Sequence, residues 1–397
     1  MGKKVTKPLG KLSPWVWSVE LVRGCNLSCW HCTARIFPED GRPRFMSKKT
    51  WVAMCKVLAR ETPRTRLELA QGGEPTLHPR LIEFLRIARE LTPTTQIQIY
   101  TNGLTLMSGK YKFADLFGAG ASTVYVDMYA PQEKFVALAR ESGAEWYLYN
   151  NPRVGSPGHR MANTYYGDPT MRLVVLQNNP HDRIRWRKMG RLSTWLNHVD
   201  WGVAMPYGLV PVREPYHRKC TLPQRYVSTS YTGGYLFCCI DFWCESDGML
   251  GNVNDGPEGF KKFWFGRLMQ TIRRQLRVGD RGNIPFCSRC NCAFAKCDWV
   301  NMWPEESLHT WWDGVAMRPM PPARLDGEVF DAAWEVTRAL KIPTPKEEAE
   351  AIGNSKHLLI RSTAAMDRDR RGTRSVAEKK ICVKRVMKGN KVGFDLA

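Results

Sequence analysis

The chain has 397 residues, of which 43% are hydrophobic, and a formal net charge of +21 at pH 7. This length allows two domains and a well-buried core, and no run of 18 apolar residues occurs, so we expect no membrane span and no membrane partner. The chain begins Met-Gly-Lys-Lys without an apolar signal segment, which predicts a reducing, cytoplasmic location where thiols stay free. The basic charge fits a nucleic-acid partner, an acidic or phosphate-bearing substrate, or solubility alone.

Three cysteines near the N-terminus follow a strand-like segment. Trp15–Val22 is rich in β-branched and aromatic residues, and Cys25, Cys29 and Cys32 come after it at C-x3-C-x2-C spacing. Such a loop can wrap three thiolates around one inorganic core, and thiolates suit iron–sulfur clusters and zinc. A cubane cluster needs four ligands, so three cysteines would leave one iron open to a substrate or cofactor. Zinc, whose sites favour paired C-x2-C units, is the alternative.

Strand and helix signals then alternate up to about residue 200, which predicts βα units around a parallel sheet. The further predicted strands are 66–71, 96–100, 122–127, 145–150 and 171–176, and the predicted helices are 47–60, 79–91, 111–117, 131–141 and 189–199. Six such units favour an α/β fold with an open, partial (β/α)6 barrel of the TIM type. In parallel barrels the chemistry gathers at the C-terminal ends of the strands. The cysteine loop, the turn 72–75 and the turn 101–103 all fall there.

These motifs resemble those of the radical S-adenosylmethionine (SAM) enzymes. The family motif C-x3-C-aromatic-x-C is met by Cys25, Cys29, Trp30 and Cys32, and Gly72-Gly73-Glu74-Pro75 matches the segment that contacts the amino group of bound SAM. Thr101-Asn102-Gly103 matches a further turn that is frequent in the family. The resemblance implies a [4Fe-4S] cluster on the three cysteines and SAM contacts at Trp30, Gly72, Gly73, Glu74, Pro75, Asn102 and Asp127.

The candidates for an acid or base are few. In many relatives the fourth strand ends in a serine and an aspartate near the cofactor, and the nearest matches here are Asp127 and Tyr129. Only Asp127 could accept a hydrogen bond from a ribose hydroxyl. Asp241, which stands among the later cysteines, is the third candidate.

Eight of the thirteen cysteines lie between residues 220 and 297. Cys220 precedes two alternating strands, 226–230 and 235–239, around a Gly-rich turn, which predicts a β-hairpin, and a helix is predicted over 257–276. This succession resembles the SPASM and shorter Twitch auxiliary-cluster domains. The shared part of their pattern is met by Cys220, Gly233, Cys238, Cys287 and Cys290.

The ligand set of this region is open at the level of sequence. The resemblance implies one Twitch-like cluster on Cys220, Cys238, Cys287 and Cys290. Further candidate ligands, which would hold a second cluster, are Cys239, Cys244, Cys292 and Cys297. A zinc knuckle is the alternative that spacing alone permits, built from Cys287, Cys290, Cys292 and Cys297.

We therefore expect four parts: a flexible arm over 1–14, a radical SAM core barrel over 15–200, a SPASM/Twitch-like iron–sulfur domain over 201–300, and a partly disordered, basic extension over 301–397. The resemblance implies reductive cleavage of SAM to a 5′-deoxyadenosyl radical, which abstracts hydrogen from a substrate, with an electron donor such as a flavodoxin or ferredoxin. Oxidative modification of a peptide or protein ranks first. RNA, a nucleotide or a small molecule is the alternative substrate, and a non-catalytic protein that binds zinc or nucleic acid is the alternative of another class.

Overall fold

The computed structural model describes the parts of the chain that follow: 14–27, 42–129, 131–149, 168–178, 219–239, 241, 244, 246–281, 284, 287, 310–312, 314–315, 317–319, 383–388 and 391–396. Several predictions fall outside these residues. They concern the helix over 189–199, almost all of the arm, and the side chains of Cys29, Trp30, Cys32, Cys290, Cys292 and Cys297.

The strands are β1 Val16–Val19, β2 Val22–Arg23, β3 Arg44–Phe45, β4 Arg66–Leu69, β5 Ile97–Thr101, β6 Thr123–Met128, β7 Glu145–Tyr149, β8 Leu173–Asn178, β9 Tyr226–Thr229, β10 Tyr235–Leu236, β11 Thr310–Trp312, β12 Met317–Pro319, β13 Val383–Lys388 and β14 Lys391–Leu396. The α-helices are α1 Lys48–Glu61, α2 Leu81–Leu91, α3 Leu104–Met107, α4 Phe113–Gly118, α5 Gln132–Glu141, α6 Leu222–Arg225, α7 Gly256–Trp264 and α8 Arg267–Val278, and short 3-10 helices cover Pro75–Leu77 and Val253–Asp255.

One eight-stranded sheet organises the described residues, in the order β10-β9-β1-β4-β5-β6-β8-β7. The six strands predicted for the core are all present and run parallel, which confirms the mostly parallel α/β fold. Strand β8 inserts between β6 and β7, so the last two strands are not in chain order. On the other side of β1, strand β9 of the predicted hairpin joins the same sheet in parallel. The hairpin therefore lies directly beside the strand that leads to the first cysteines.

The helices follow the predicted apolar periodicity. Helix α1 begins after Ser47, whose hydroxyl accepts a hydrogen bond from the Thr50 amide at 3.1 Å, as expected for an N-cap. Its Trp51 ring stacks on Phe84 of α2 with the ring centroids 5.3 Å apart. Burial of such aromatic side chains contributes on the order of 2–3 kcal/mol each. The apolar faces of the helices thus hold them against the sheet.

The single helix predicted over 257–276 is wrong in one respect, because the structure has two helices, α7 and α8, with a break at Gly266. Gly266 has an extended backbone, with φ −63° and ψ 154°, and forms the N-cap of α8. A Cβ at this position would lie 2.0 Å from the carbonyl oxygen of Lys262. The close approach of the two backbones explains why glycine stands at the break.

The two faces of the sheet differ in polarity, because successive side chains of a strand point to opposite faces. Leu67 and Leu69 of β4, like Ile97 and Ile99 of β5, belong to the hydrophobic core. On the alternate positions a polar row crosses the sheet in register, formed by Ser18, Glu68, Gln98 and Thr123. One face therefore packs on the helices, and the other is lined by polar groups that continue toward the strand ends.

Candidate active site

A short antiparallel pair bounds the cysteine loop. Strands β2 and β3 pair Val22 with Phe45 and Arg23 with Arg44, so the loop over 24–43 leaves and returns at one place. Sequence reasoning did not predict this pair, because each strand has only two residues. Cys25, two residues after β2, is held at the end of β1 by this ladder.

The predicted turn after β4 packs against the start of the cysteine loop. Gly72 has φ +71°, a conformation that glycine adopts at little cost. A Cβ on Gly73 would lie 1.9 Å from the carbonyl oxygen of Val22, and the Glu74 amide donates a hydrogen bond of 3.0 Å to the Gly24 carbonyl. The two glycines thus allow the turn to touch the backbone that leads into Cys25.

The Glu74 carboxylate joins two of the turns predicted to bind the cofactor. Its carboxylate is 3% exposed and accepts hydrogen bonds from the Thr76 amide at 3.0 Å and the Thr76 hydroxyl at 2.6 Å. It also accepts from the Thr101 hydroxyl and from the Asn102 amide, both at 2.8 Å. Burial raises the pKa of this carboxyl, and the four hydrogen bonds oppose that effect. Glu74 therefore fixes the turn after β5 relative to the turn after β4.

Asn102 carries this connection to the first cysteine. Its Nδ2 lies 3.5 Å from Cys25 Sγ and 2.8 Å from Asn26 Oδ1. The Leu27 amide also donates to Cys25 Sγ, at 3.4 Å, while Asn26 Oδ1, a neutral amide oxygen, lies 3.7 Å from the sulfur. Two N–H donors directed at a sulfur favour its thiolate form. The surroundings of Cys25 thus fit a thiolate ligand of an iron–sulfur cluster.

Asp127 lies near the end of β6, beside Gln177 of β8 in the register of the sheet. Gln177 Nε2 donates a hydrogen bond to Asp127 Oδ1, and burial raises the pKa of Asp127 to about 6. Tyr129 follows β6 and is half-buried. Below these residues on the same face, the rings of Tyr100 and Tyr125 stack 4.6 Å apart at an angle of 3°. These strand ends therefore carry a carboxylate, an amide and three phenols, of which the Tyr100 hydroxyl already donates to Gln98 Oε1 at 3.2 Å.

The cysteine-rich loop after β10 is attached to the same edge of the sheet. Gln71, which follows β4, donates from Nε2 to the Cys239 carbonyl at 3.1 Å and accepts from the Ser18 hydroxyl at 3.2 Å. Asp241, predicted as a candidate acid or base, accepts from the amide and hydroxyl of Ser246. In this structure Asp241 therefore stabilises the loop after β10 through its hydrogen bonds with Ser246.

Three of the predicted auxiliary ligands are described. Cys220 is buried and its amide donates to the Leu276 carbonyl at 3.0 Å, while Cys238 and Cys287 are partly buried against the core. Within the part of the chain that the structure describes, no group of three His, Cys, Asp or Glu side chains has the geometry of a metal site. The same residues include no helix long and apolar enough to cross a membrane.

Comparison with known proteins identifies the class. Residues 19–152 match the Radical SAM superfamily, so the chain contains a radical SAM domain. The predictions of an enzyme and of a [4Fe-4S] cluster with SAM are confirmed at the level of this superfamily, whose members are enzymes that use both.

Two relatives illustrate the similarity. The chain is 21% identical, over 280 residues, to the S-adenosyl-L-methionine-dependent 2-deoxy-scyllo-inosamine dehydrogenase of Niallia circulans, covering 69% of this chain and 91% of that protein. It is 31% identical over 123 residues to the 7,8-dihydro-6-hydroxymethylpterin dimethyltransferase of Methanocaldococcus jannaschii, covering 31% of this chain and 24% of that protein.

Solved structures are similar too. BtrN in complex with AdoMet and 2-DOIA aligns with a TM-score of 0.49 and 18% identity over 70% of this chain and 93% of that one. SuiB of Streptococcus suis bound to S-adenosylmethionine aligns with a TM-score of 0.39 and 14% identity over 73% of this chain and 74% of that one.

Sequence reasoning missed several polar residues of the site. Glu20 directly follows β1 and Gln71 comes two residues after β4; they are 1% and 3% exposed. Their signal in the sequence is a polar residue just after an apolar strand. That signal becomes informative only when the strand ends are known to lie side by side.

Proposed function

We propose that the chain reductively cleaves SAM at a [4Fe-4S] cluster held by Cys25, Cys29 and Cys32 and oxidises a substrate by hydrogen abstraction. The observation that most supports this is the hydrogen-bonded path from Glu74 through Asn102 to Cys25. This path connects three motifs that are far apart in the sequence, at the C-terminal ends of the parallel strands. A structural zinc loop would not require the other two turns.

Different residues of the chain would bind different groups of SAM. When bound, the cluster and SAM supply a 5′-deoxyadenosyl radical that can take hydrogen from an unactivated carbon. The Glu74 carboxylate is already engaged by four donors, so we assign the ammonium of SAM to the backbone carbonyls of Gly72 and Gly73, next to Pro75. Asp127, oriented by Gln177, would accept a hydrogen bond from a ribose hydroxyl, and Trp30 would complete the cofactor contacts.

We further propose one auxiliary cluster on Cys220, Cys238, Cys287 and Cys290. A substrate radical formed by hydrogen abstraction from a carbon that bears a hydroxyl or amino group must lose one electron and one proton to become an oxidised product, and such a cluster would supply an acceptor for the electron. The loop of this cluster is tied by Gln71 to the same strand ends as the first cluster. A flavodoxin or ferredoxin would supply the initial electron.

For the substrate we propose a small molecule with hydroxyl or amino groups. Tyr100, Tyr125, Asp127 and Gln177 line one face of the sheet and offer hydrogen-bonding groups rather than an apolar surface. The relative that is matched over nearly its whole length is a dehydrogenase of such a molecule. A peptide or protein, which the sequence ranked first, is the second candidate, because the charge of +21 suits an acidic peptide.

The test is anaerobic reconstitution of the full chain and of a Cys25/Cys29/Cys32→Ala triple variant. We expect about eight irons per wild-type chain and about four in the variant. The wild type should form 5′-deoxyadenosine from SAM and dithionite, and the variant none. Colourless protein with zinc and without labile sulfide would overturn the proposal. The two candidate substrate classes are then compared by adding a pool of aminated polyols or a pool of acidic peptides. The pool that contains the substrate should raise the release of 5′-deoxyadenosine above the rate measured without substrate.

A further inference from the structure

Glu20 forms a junction between the cysteine loop and the cysteine-rich loop after β10. It follows β1 directly, and its carboxylate is almost fully buried. Oε1 accepts a hydrogen bond from Arg23 Nε at 3.0 Å, and Oε2 accepts from the Tyr231 amide at 3.2 Å and from Cys244 Sγ at 3.5 Å. Arg23 lies two residues before Cys25, and its guanidinium is 5.4 Å from the centre of the Tyr231 ring. One carboxylate thus connects β2, the hairpin turn and Cys244.

The surroundings of Cys244 differ from those of Cys25. Cys25 Sγ receives two N–H donors and lies 3.7 Å from the neutral Oδ1 of Asn26, whereas Cys244 Sγ is 7% exposed and meets a carboxylate oxygen. A thiolate would be repelled by that oxygen, while a thiol can donate to it. Burial and the adjacent Glu20 both raise the pKa of the Cys244 thiol. The sulfur therefore has a partner that suits a hydrogen-bond donor and not a metal ligand.

The backbone at Cys244 is held in an uncommon conformation. Its φ of 53° lies in the left-handed region, which a non-glycine residue adopts at a cost. The Cys244 amide donates to the Asp241 carbonyl at 3.1 Å, and Asp241 in turn holds Ser246. The loop is thus built to present this side chain to Glu20.

We propose that Cys244 is a positioning residue: its hydrogen bond to Glu20 holds the cysteine-rich loop against the strand ends, and Cys244 binds no iron. This inference rests on the auxiliary cluster of the proposed function and specifies its ligands. Without Cys244, the further candidates are reduced to Cys239, Cys292 and Cys297, so a second auxiliary cluster would need an open iron or a ligand other than cysteine. We therefore assign one cluster to the region, on Cys220, Cys238, Cys287 and Cys290.

The first arm of the test counts iron in the Cys25/Cys29/Cys32→Ala background, where only auxiliary iron remains. Cys244→Ser and Cys244→Ala should keep about four irons per chain, and Cys238→Ala should lose them. Cys55→Ala, which changes a buried cysteine of α1, serves as the control for the loss of a buried thiol. Loss of iron in both Cys244 variants, matching that in Cys238→Ala, would overturn the proposal.

The second arm measures amide hydrogen exchange of the peptide that contains Tyr231, in the metal-free full chain. Cys244→Ala should raise exchange in this peptide about tenfold, as expected for weakening a hydrogen-bonded network around a charged group. Cys244→Ser, which keeps a donor, should restore it, and Cys55→Ala should leave it unchanged. Equal exchange in the wild type, Cys244→Ala, Cys244→Ser and Cys55→Ala would overturn the positioning role of Cys244. If the triple variant alone binds no iron, the auxiliary cluster fails, and the exchange arm still decides on the contact with Glu20.

Discussion

Asn102 Nδ2 lies 3.5 Å from Cys25 Sγ, so the turn after β5 donates a hydrogen bond to the first cysteine of the motif. The same side chain uses its Oδ1 to accept from the Leu104 amide at 3.0 Å, which fixes its orientation at the start of α3. The Asn102 side chain is therefore held in place through its Oδ1, and its Nδ2 points at the sulfur of Cys25. A residue that orients a ligand in this way commonly affects metal affinity without contacting the metal.

The first prediction concerns this contact. Asn102→Ala removes one of the two N–H donors to Cys25, so the thiolate loses stabilisation and the N-terminal cluster binds more weakly. We expect a loss of about 10- to 100-fold in iron retention under chelator challenge. The measurement is iron release to a chelator, followed by absorbance, with Asn254→Ala as an exposed control. Equal release rates for the two variants would show that the contact has no influence on the site.

The second prediction concerns the Glu74 carboxylate. Glu74→Ala leaves buried donors of Thr101, Asn102 and Thr76 without their acceptor, and should lower the free energy of unfolding by about 2–4 kcal/mol. Glu74→Gln should cost less, although its NH2 group must then face a donor. Denaturant unfolding of the metal-free protein measures both. Glu83→Ala, which removes exposed ion pairs with Arg80 and Lys48, should change the free energy of unfolding far less than Glu74→Ala.

The parallel core was predictable because its signals are local. Each strand is an apolar run closed by a glycine-bearing or polar turn, and α1 carries its Ser47 cap in the sequence. The parallel arrangement followed from the alternation of strands and helices. The structure shifts the predicted boundaries by only one residue at β5 and two residues at β8.

What could not be predicted depends on contacts between distant segments. The insertion of β8 between β6 and β7, and the pairing of β9 with β1, are decided by which edges meet in space. Glu20 and Gln71 have no motif of their own, and their roles appear only when Cys244 and the Cys239 carbonyl are brought beside them. Glu74 was expected to face the cofactor, and only the folded turns show that its carboxylate is occupied by the protein itself.

The third prediction tests the close approach of the turn after β4 to β2. In Gly73→Ala the new Cβ would lie 1.9 Å from the Val22 carbonyl oxygen and 2.6 Å from that of Gly24, so the backbone before Cys25 must move. We expect a loss of at least about 3 kcal/mol in the free energy of unfolding, or failure to fold. Gly118→Ala is the matched control, since its Cβ would meet nothing within 4 Å. If the two variants unfold alike, the packing of the turn against β2 is wrong.

The fourth prediction follows from the raised pKa of Asp127. Burial raises this pKa from 3.8 to about 6, so between these values the folded chain binds a proton that the unfolded chain has released. The contribution of Asp127 to stability is therefore greatest below pH 4 and is lost as the pH rises toward 6. Asp127→Asn, which cannot titrate, should become more stable relative to the wild type by on the order of 2 kcal/mol between pH 4 and pH 7.

The measurement is denaturant unfolding of the two metal-free proteins across this pH range, with Glu133→Gln on the surface of α5 as the control. The variant should also bind SAM more weakly above pH 6, because an ionised Asp127 accepts a hydrogen bond from a hydroxyl more strongly than an amide does. A stability difference that stays constant with pH would mean that Asp127 ionises normally in the folded chain. SAM affinity unchanged by Asp127→Asn at pH 7.5 would remove it from the ribose site and leave the pairing with Gln177 as its role.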